Sequence, residues 1–216
     1  MKAEGTGDTQ ALALSPRAFA APLTLLVLVV VLGLAVQAAV LAPLDDAVFR
    51  ALALTKGAAS DGLITAARAV SWLGDGERRS ILLALSVIWL FWKKERRLAL
   101  VMLVFPVLAG VTSDILKAIF DRPRPDLVPH LDHVSSMSFP SGHATNATAL
   151  FLIMAFLLPV GSPKLRLAVA MLLALAVGTA RVMLGVHWPS DVVAGWILGV
   201  GFALAARALT APVLRA

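Results

Sequence analysis

Long apolar stretches, set apart by short charged clusters, constrain this chain more than any other feature. A run of roughly 17 to 25 apolar residues is the length at which one helix crosses about 30 Å of hydrocarbon. Six stretches fit or approach that length: 19–41, 80–92 with an extension back to Gly76, 98–120, from just after 143 to 158, 165–184 and 191–209. Composition agrees, with 59% hydrophobic and 15% charged residues, where a soluble domain runs near half and a quarter. The expected fold is all-α: a polytopic membrane bundle of six transmembrane helices with short interfacial helices. Residues 1–18 read as a flexible tail and 19–216 as one domain. The first run exceeds the 7 to 15 residues of a signal-peptide core, so it reads as an uncleaved helix.

Segment 44–79 is mixed. Leu44, Val48, Ala51 and Leu52 share one helical face while Asp45, Asp46, Arg50 and Lys56 fall elsewhere, and Leu63, Ala67, Val70 and Trp72 give a weaker stripe. Both patterns suggest amphipathic helices lying at the membrane interface, either as packed connectors or as part of a substrate entry. Pro106 and Gly110 are candidate bend points in the third stretch. Gly195, Gly199 and Gly201 contain a G-x-x-x-G spacing that lets another helix approach closely. The net charge of +6 does not imply nucleic acid, because the basic residues flank apolar runs instead of forming a face interleaved with aromatics. Cysteine is absent, which excludes disulfides, thiol catalysis and thiolate metal sites.

Arg17, the cluster from Lys93 to Arg97, Lys164 with Arg166, and Arg207 with Arg215 fall on one side of a six-span arrangement. By the positive-inside rule that side is cytoplasmic. The segments 44–79, 121–140 and 185–190 then share the opposite side, so sequence-distant loops emerge together.

Three groups on that side carry chemistry. In the first, 117–125, Lys117 precedes a break at Asp121, and Pro123 and Pro125 hold Arg122 and Arg124 extended. Guanidinium forks suit phosphate oxygens and lysine adds a point charge; alternatively, Lys117 pairs with Asp114 and the arginines reach head groups. In the second, Pro140-Ser141-Gly142-His143 opens a helix, whose free N–H groups and dipole favour an anion; simple capping by Ser141 is the alternative. In the third, Arg181 ends a helix that Gly185 terminates, His187 lies in the turn, and Asp191 follows Pro189 in the next helix. A carboxylate placed four residues after a histidine can accept its ring N–H and leave the other nitrogen free, or it can complement the helix dipole. His130, Asp132 and His133 imitate metal ligands but read as a solvated loop.

Together these groups, spread over about a third of the chain, resemble the three-part signature of the type 2 phosphatidic acid phosphatase (PAP2) superfamily. Ala180 stands where that signature usually has serine. The resemblance implies a metal-independent phosphatase without cofactor in which His187, oriented by Asp191, attacks phosphorus and forms a phosphohistidine. It further implies that His143 protonates the leaving oxygen and that Lys117, Arg124, Ser141, Gly142 and Arg181 bind phosphate, with Arg122 and Pro140 in support. The expected partners are the bilayer and a phospholipid or polyprenyl (di)phosphate within it. The expected location is a bacterial inner (plasma) membrane with the site on its periplasmic or extracellular face. Phosphotransfer to another lipid, or a non-catalytic lipid-binding or translocating relative, are the alternatives.

Overall fold

The computed structural model describes residues 16–210. A 3-10 turn, Pro16–Phe19, leads into α1 (Ala20–Gln37), followed by α2 (Ala42–Leu52), α3 (Asp61–Trp72), α4 (Gly76–Trp92), α5 (Arg96–Phe120), α6 (Gly142–Leu157), α7 (Pro163–Met183) and α8 (Pro189–Thr210). Of the expected tail, residues 1–15 lie outside the described residues, as does Arg215, and 16–18 begin the 3-10 turn. Helix α5 runs without a break through Pro106 and Gly110.

Four segments are long and apolar enough to cross a membrane: Arg17–Gln37, Arg96–Phe120, Pro163–Met183 and Pro189–Thr210. Helices α4 and α6 have 17 and 16 residues, and at 1.5 Å per residue α6 reaches only about 24 Å. On length, therefore, four of the six expected spans are met. Outward positions along the long helices are large and apolar, among them Val27, Leu100, Ile115, Ile119 and Leu172. Charged groups instead lie inside, including Arg181 at 1% exposure. That polarity is the reverse of a soluble protein's and suits hydrocarbon as the surrounding solvent.

Helix α6 is the central element, packed against α5, α7 and α8. Its seam with α8 depends on two glycines. A Cβ on Gly195 would lie 2.7 Å from the Ser141 carbonyl, and one on Gly199 would lie 2.6 Å from that of Thr145. The G-x-x-x-G spacing therefore serves close backbone approach, as expected. Gly201 is outside this seam, facing α1 with 3.6 Å of room to Leu25 and Pro22.

The structure shows which faces of α2 and α3 turn inward. Asp45 is 2% exposed and Leu44 is 62% exposed, so α2 turns Asp45 and Phe49 inward. In α3 the buried residues are Ile64, Ala67 and Ser71, while Leu63 and Trp72 are exposed. Asp45 meets Arg122 there, while Ile64 and Ala67 of α3 pack against Leu131, Leu184 and Val186.

Gly199→Val should lower the apparent melting temperature of the detergent-solubilised protein by several degrees, since overpacking a tight contact costs about 1–3 kcal/mol. Gly201→Ala, with ordinary van der Waals room, should leave it nearly unchanged.

Candidate active site

Helix α5 ends where Asp121 adopts a left-handed conformation (φ 42°, ψ 37°) and its N–H caps the Lys117 carbonyl. The chain then runs extended through Arg122-Pro123-Arg124-Pro125 and returns, with Ser138 N–H donating to the Arg122 carbonyl at 2.9 Å. This return lays carbonyls beneath the cations. Lys117 Nζ donates to Met137 O at 2.5 Å, and Arg124 donates to Ser136 O at 2.8 Å and to Met137 O at 3.4 Å. Lys117 is thus held by backbone and forms no ion pair with Asp114.

At the start of α6, Ser141 is the N-cap; its hydroxyl faces the Ala144 N–H at 3.5 Å, and it is fully buried after Pro140. The helix start leaves its first N–H groups, at Gly142 and His143, without intrahelical acceptors. An added Cβ on Gly142 would meet Lys117 Cε at 3.6 Å, which places this free backbone beside the first cation. His143 Nε2 lies 3.0 Å from Asp75 Oδ1. Asp75, at the N-cap position of α4, is therefore a carboxylate partner for His143 that no local spacing announced.

Helix α7 ends in the turn set by Gly185 (φ +76°), with Val186 N–H returning to the Arg181 carbonyl. Arg181 donates from Nη1 to Ser71 Oγ at 2.7 Å and pairs with Asp132. Its Nε, though buried, has no acceptor among the described residues. A buried guanidinium with an unused N–H is strongly disposed towards an anion. Asp132 departs from the solvated loop expected for it, because Arg181 draws it in. His130 Nε2 instead contacts the Pro125 carbonyl at 2.6 Å.

His187 is 1% exposed, and its two nitrogens have different surroundings. Nε2 faces Arg124 Nη1 at 3.2 Å. A guanidinium only donates, so Nε2 must present its lone pair and the ring proton sits on Nδ1. Nδ1 lies 3.3 Å from Ser138 Oγ, which donates to Asp191 Oδ2 at 2.5 Å; the direct Nδ1 to Asp191 distance is 3.5 Å. The expected carboxylate–histidine contact is thus relayed by the Ser138 hydroxyl. Sequence reading missed Ser138, although it lies only three residues before Ser141.

Asp191 is fully buried and accepts in addition from Trp188 N–H at 2.9 Å and Arg122 Nη1 at 2.5 Å. Arg122 Nη2 reaches Asp45 Oδ2 at 2.7 Å, and Asp45 also accepts from Ser190 N–H and Oγ. Arg122 therefore links two carboxylates and does not join the cations around His187.

The groups brought together are Lys117, Arg124, Arg181, Gly142, Ser141, His143 and His187. Burial holds the His187 ring well below its ordinary pKa of 6.5, and the charges of Arg124, Lys117 and Arg181 press it further down. Burial likewise lowers Arg124 to about 10, helped by the Arg181 charge. Burial raises the Asp132 carboxyl, but the Arg181 charge and hydrogen bond outweigh it and hold the pKa below the usual value. The pocket is a cationic cradle around one neutral, lone-pair-bearing imidazole.

A family model described as the PAP2 superfamily matches residues 96–213. The chain is 32% identical over 189 residues to phosphatidylglycerophosphatase B of Bacillus subtilis, covering 83% of this chain and 89% of that protein. It is 30% identical over 131 residues to the undecaprenyl-diphosphatase of Sulfolobus acidocaldarius, covering 56% of this chain and 60% of that one. Its fold is similar to a crystal structure of a transmembrane PAP2-type phosphatidylglycerolphosphate phosphatase from Bacillus subtilis, with TM-score 0.80, 28% identity, and coverage of 89% of this chain and 96% of that one.

Arg122→Met would strand two buried carboxylates, so it should cost about 3 kcal/mol or more of stability. Adding Asp45→Asn should recover part of that loss, which thermal melts of the single and double variants will reveal as non-additivity.

Proposed function

The chain belongs to the PAP2 superfamily, and from that membership we propose that this membrane phosphatase removes the terminal phosphate of a phospholipid or polyprenyl (di)phosphate through a phosphohistidine at His187. The observation that carries this reading is the unprotonated Nε2 of His187, whose lone pair faces Arg124 at 3.2 Å among three cations. In the first step Nε2 attacks phosphorus, the P–N bond forms, and the P–O bond to the lipid breaks. His143 gives its proton to the departing oxygen. In the second step His143 takes a proton from water, whose oxygen displaces His187 and releases inorganic phosphate.

Lys117, Arg124 and Arg181, with the Gly142 N–H and the Ser141 hydroxyl, surround the equatorial oxygens. Preorganised donors of this kind stabilise the charge spread over a transferring phosphoryl group. These three cations supply the neutralisation that metal ions supply in other phosphatases, so the mechanism proceeds without one. Ser138 and Asp191 keep the proton on Nδ1 and stabilise the ring as it becomes positive.

In this reading α4 and α6 complete a six-span bundle. Lys93, Lys94, Arg96, Arg97, Lys164, Arg166 and Arg207 mark the cytoplasmic end, and the pocket opens on the opposite, outer face. Phosphate at head-group depth makes a membrane-resident ester the natural substrate.

His187→Ala should reduce phosphate release by about 10⁴-fold or more, while a chelator leaves the wild-type rate intact; activity retained in the variant contradicts the reading. Because the fold holds His187 neutral, the acid limb of kcat/KM belonging to it should lie below pH 6.5. The same depression means that the unfolded chain binds the proton more readily, so this contribution to stability is complete above pH 6.5 and is lost as pH falls below it.

A further inference from the structure

The end of the bundle remote from the catalytic pocket carries a groove that the phosphatase reading does not use. Helix α6 begins at the pocket with Gly142 and ends at Leu157, and α7 starts from Pro163 at that far end. Between the last turns of α6 and the first turns of α7 lies an apolar groove of about 380 Å³. Ala155 and Ala170, both buried, floor it, while Phe151, Met154, Val169 and Leu173 form its walls. From Leu165 to Leu173 it follows α7 for about 12 Å, most of one leaflet's half of a roughly 30 Å hydrocarbon core. Leu165 and Val169 are exposed, so the groove is open to the bilayer along its length.

One end of the groove is cationic. Arg166 lines it and also lines an adjoining hollow of about 420 Å³, shared with Phe156, Pro159 and Arg207 of α8. Arg166 donates from Nη1 to the Leu158 carbonyl, its one hydrogen bond among the described residues, and its buried Nε has no acceptor there. The exposed Arg207 guanidinium stands 5.1 Å from the centre of the Phe156 ring. Neither arginine forms an ion pair among the described residues, and no residue lining either hollow is acidic. Two guanidinium groups at the head of an apolar groove suit phosphodiester oxygens. They offer no carboxylate to a choline or ethanolamine ammonium.

We infer that the groove and hollow form a binding site for an anionic diacyl phospholipid of the leaflet opposite the catalytic pocket. Its phosphodiester sits between Arg166 and Arg207, and one acyl chain lies in the α6–α7 groove. The lipid is a bound partner and not a substrate, because the 16 residues of α6 hold the two ends about 24 Å apart. Its head group supplies acceptors that neither guanidinium finds in the protein, and its chain covers apolar surface between the two helices. Through Arg207 the same lipid ties α8 to the junction of α6 and α7.

The test titrates phosphatidylinositol and phosphatidylcholine with the same acyl chains into the delipidated, detergent-solubilised full chain and counts bound lipid by native mass spectrometry. The wild type should retain one phosphatidylinositol about tenfold or more tightly than phosphatidylcholine. Arg207→Gln should weaken phosphatidylinositol about tenfold and phosphatidylcholine less than about twofold. The ratio of the two lipids within one preparation is independent of its folded fraction, so poor folding does not mimic that effect. Val169→Trp, which fills the groove from an exposed position, should weaken both lipids. Arg124→Ala, in the catalytic pocket, should leave phosphatidylinositol binding unchanged, which separates the two anion sites. Equal affinity for the two lipids in the wild type, phosphatidylinositol binding that survives Arg207→Gln or Val169→Trp, or binding lost in Arg124→Ala overturns the inference.

Discussion

The Asp191 carboxylate has no exposure to solvent, and a buried charge of that kind costs several kcal/mol unless the fold surrounds it with donors. Its donors come from separate parts of the chain: Arg122 after α5, Ser138 before α6, and Trp188 between α7 and α8. Its backbone carbonyl also accepts the Ser141 N–H at 2.9 Å. Satisfying one residue therefore draws together the loop after α5, the start of α6 and the start of α8. Arg122 extends the same bond network to Asp45, which fixes α2 against the N-terminus of α8.

The rest of the pocket inherits its geometry from that junction. With Ser138 and Asp191 in place, Nδ1 of His187 has its partner and Nε2 faces Arg124. With the return loop fixed, the Ser136 and Met137 carbonyls hold Arg124 and Lys117 at one side. The cations are kept near one another, despite their mutual repulsion, by backbone carbonyls and by Asp132. An anion entering among them relieves that repulsion and supplies the acceptor that Arg181 Nε lacks. The site's residues thus gather at the ends of helices in a bundle whose outer surface is hydrocarbon-compatible.

Much of this was legible in the sequence because its signals are local. Hydropathy runs located α1 and α4 to α8, and Ser141, Gly185 and Pro189 marked the helix ends where they are found. The spacing of Gly195 and Gly199 announced a close helix approach, and the structure identifies α6 as the partner. What escaped is tertiary. Asp45 and Asp75 sit in segments whose ordinary roles, a polar helix face and an N-cap, already explain an aspartate. Asp45 answers to Arg122, 77 positions away, and Asp75 answers to His143, 68 positions away. Ser138 is one of several serines in an irregular loop, and only the 3.5 Å gap between His187 and Asp191 explains it. Apolar periodicity also left open which face of α2 turns inward, since it cannot foresee an arginine as the partner of a buried aspartate.

In the proposed mechanism His187 becomes covalently attached to phosphorus, while His143 only moves protons. Rapid quench of a single turnover with phosphate-labelled lipid, under alkaline conditions that preserve phosphoramidates, followed by peptide mapping, addresses that directly. The expected result is a transient, acid-labile phosphoryl group on His187 whose decay matches the appearance of inorganic phosphate, and its accumulation in a His143→Ala variant. Label on His143, or phosphate released at full rate with His187 never modified, would contradict it.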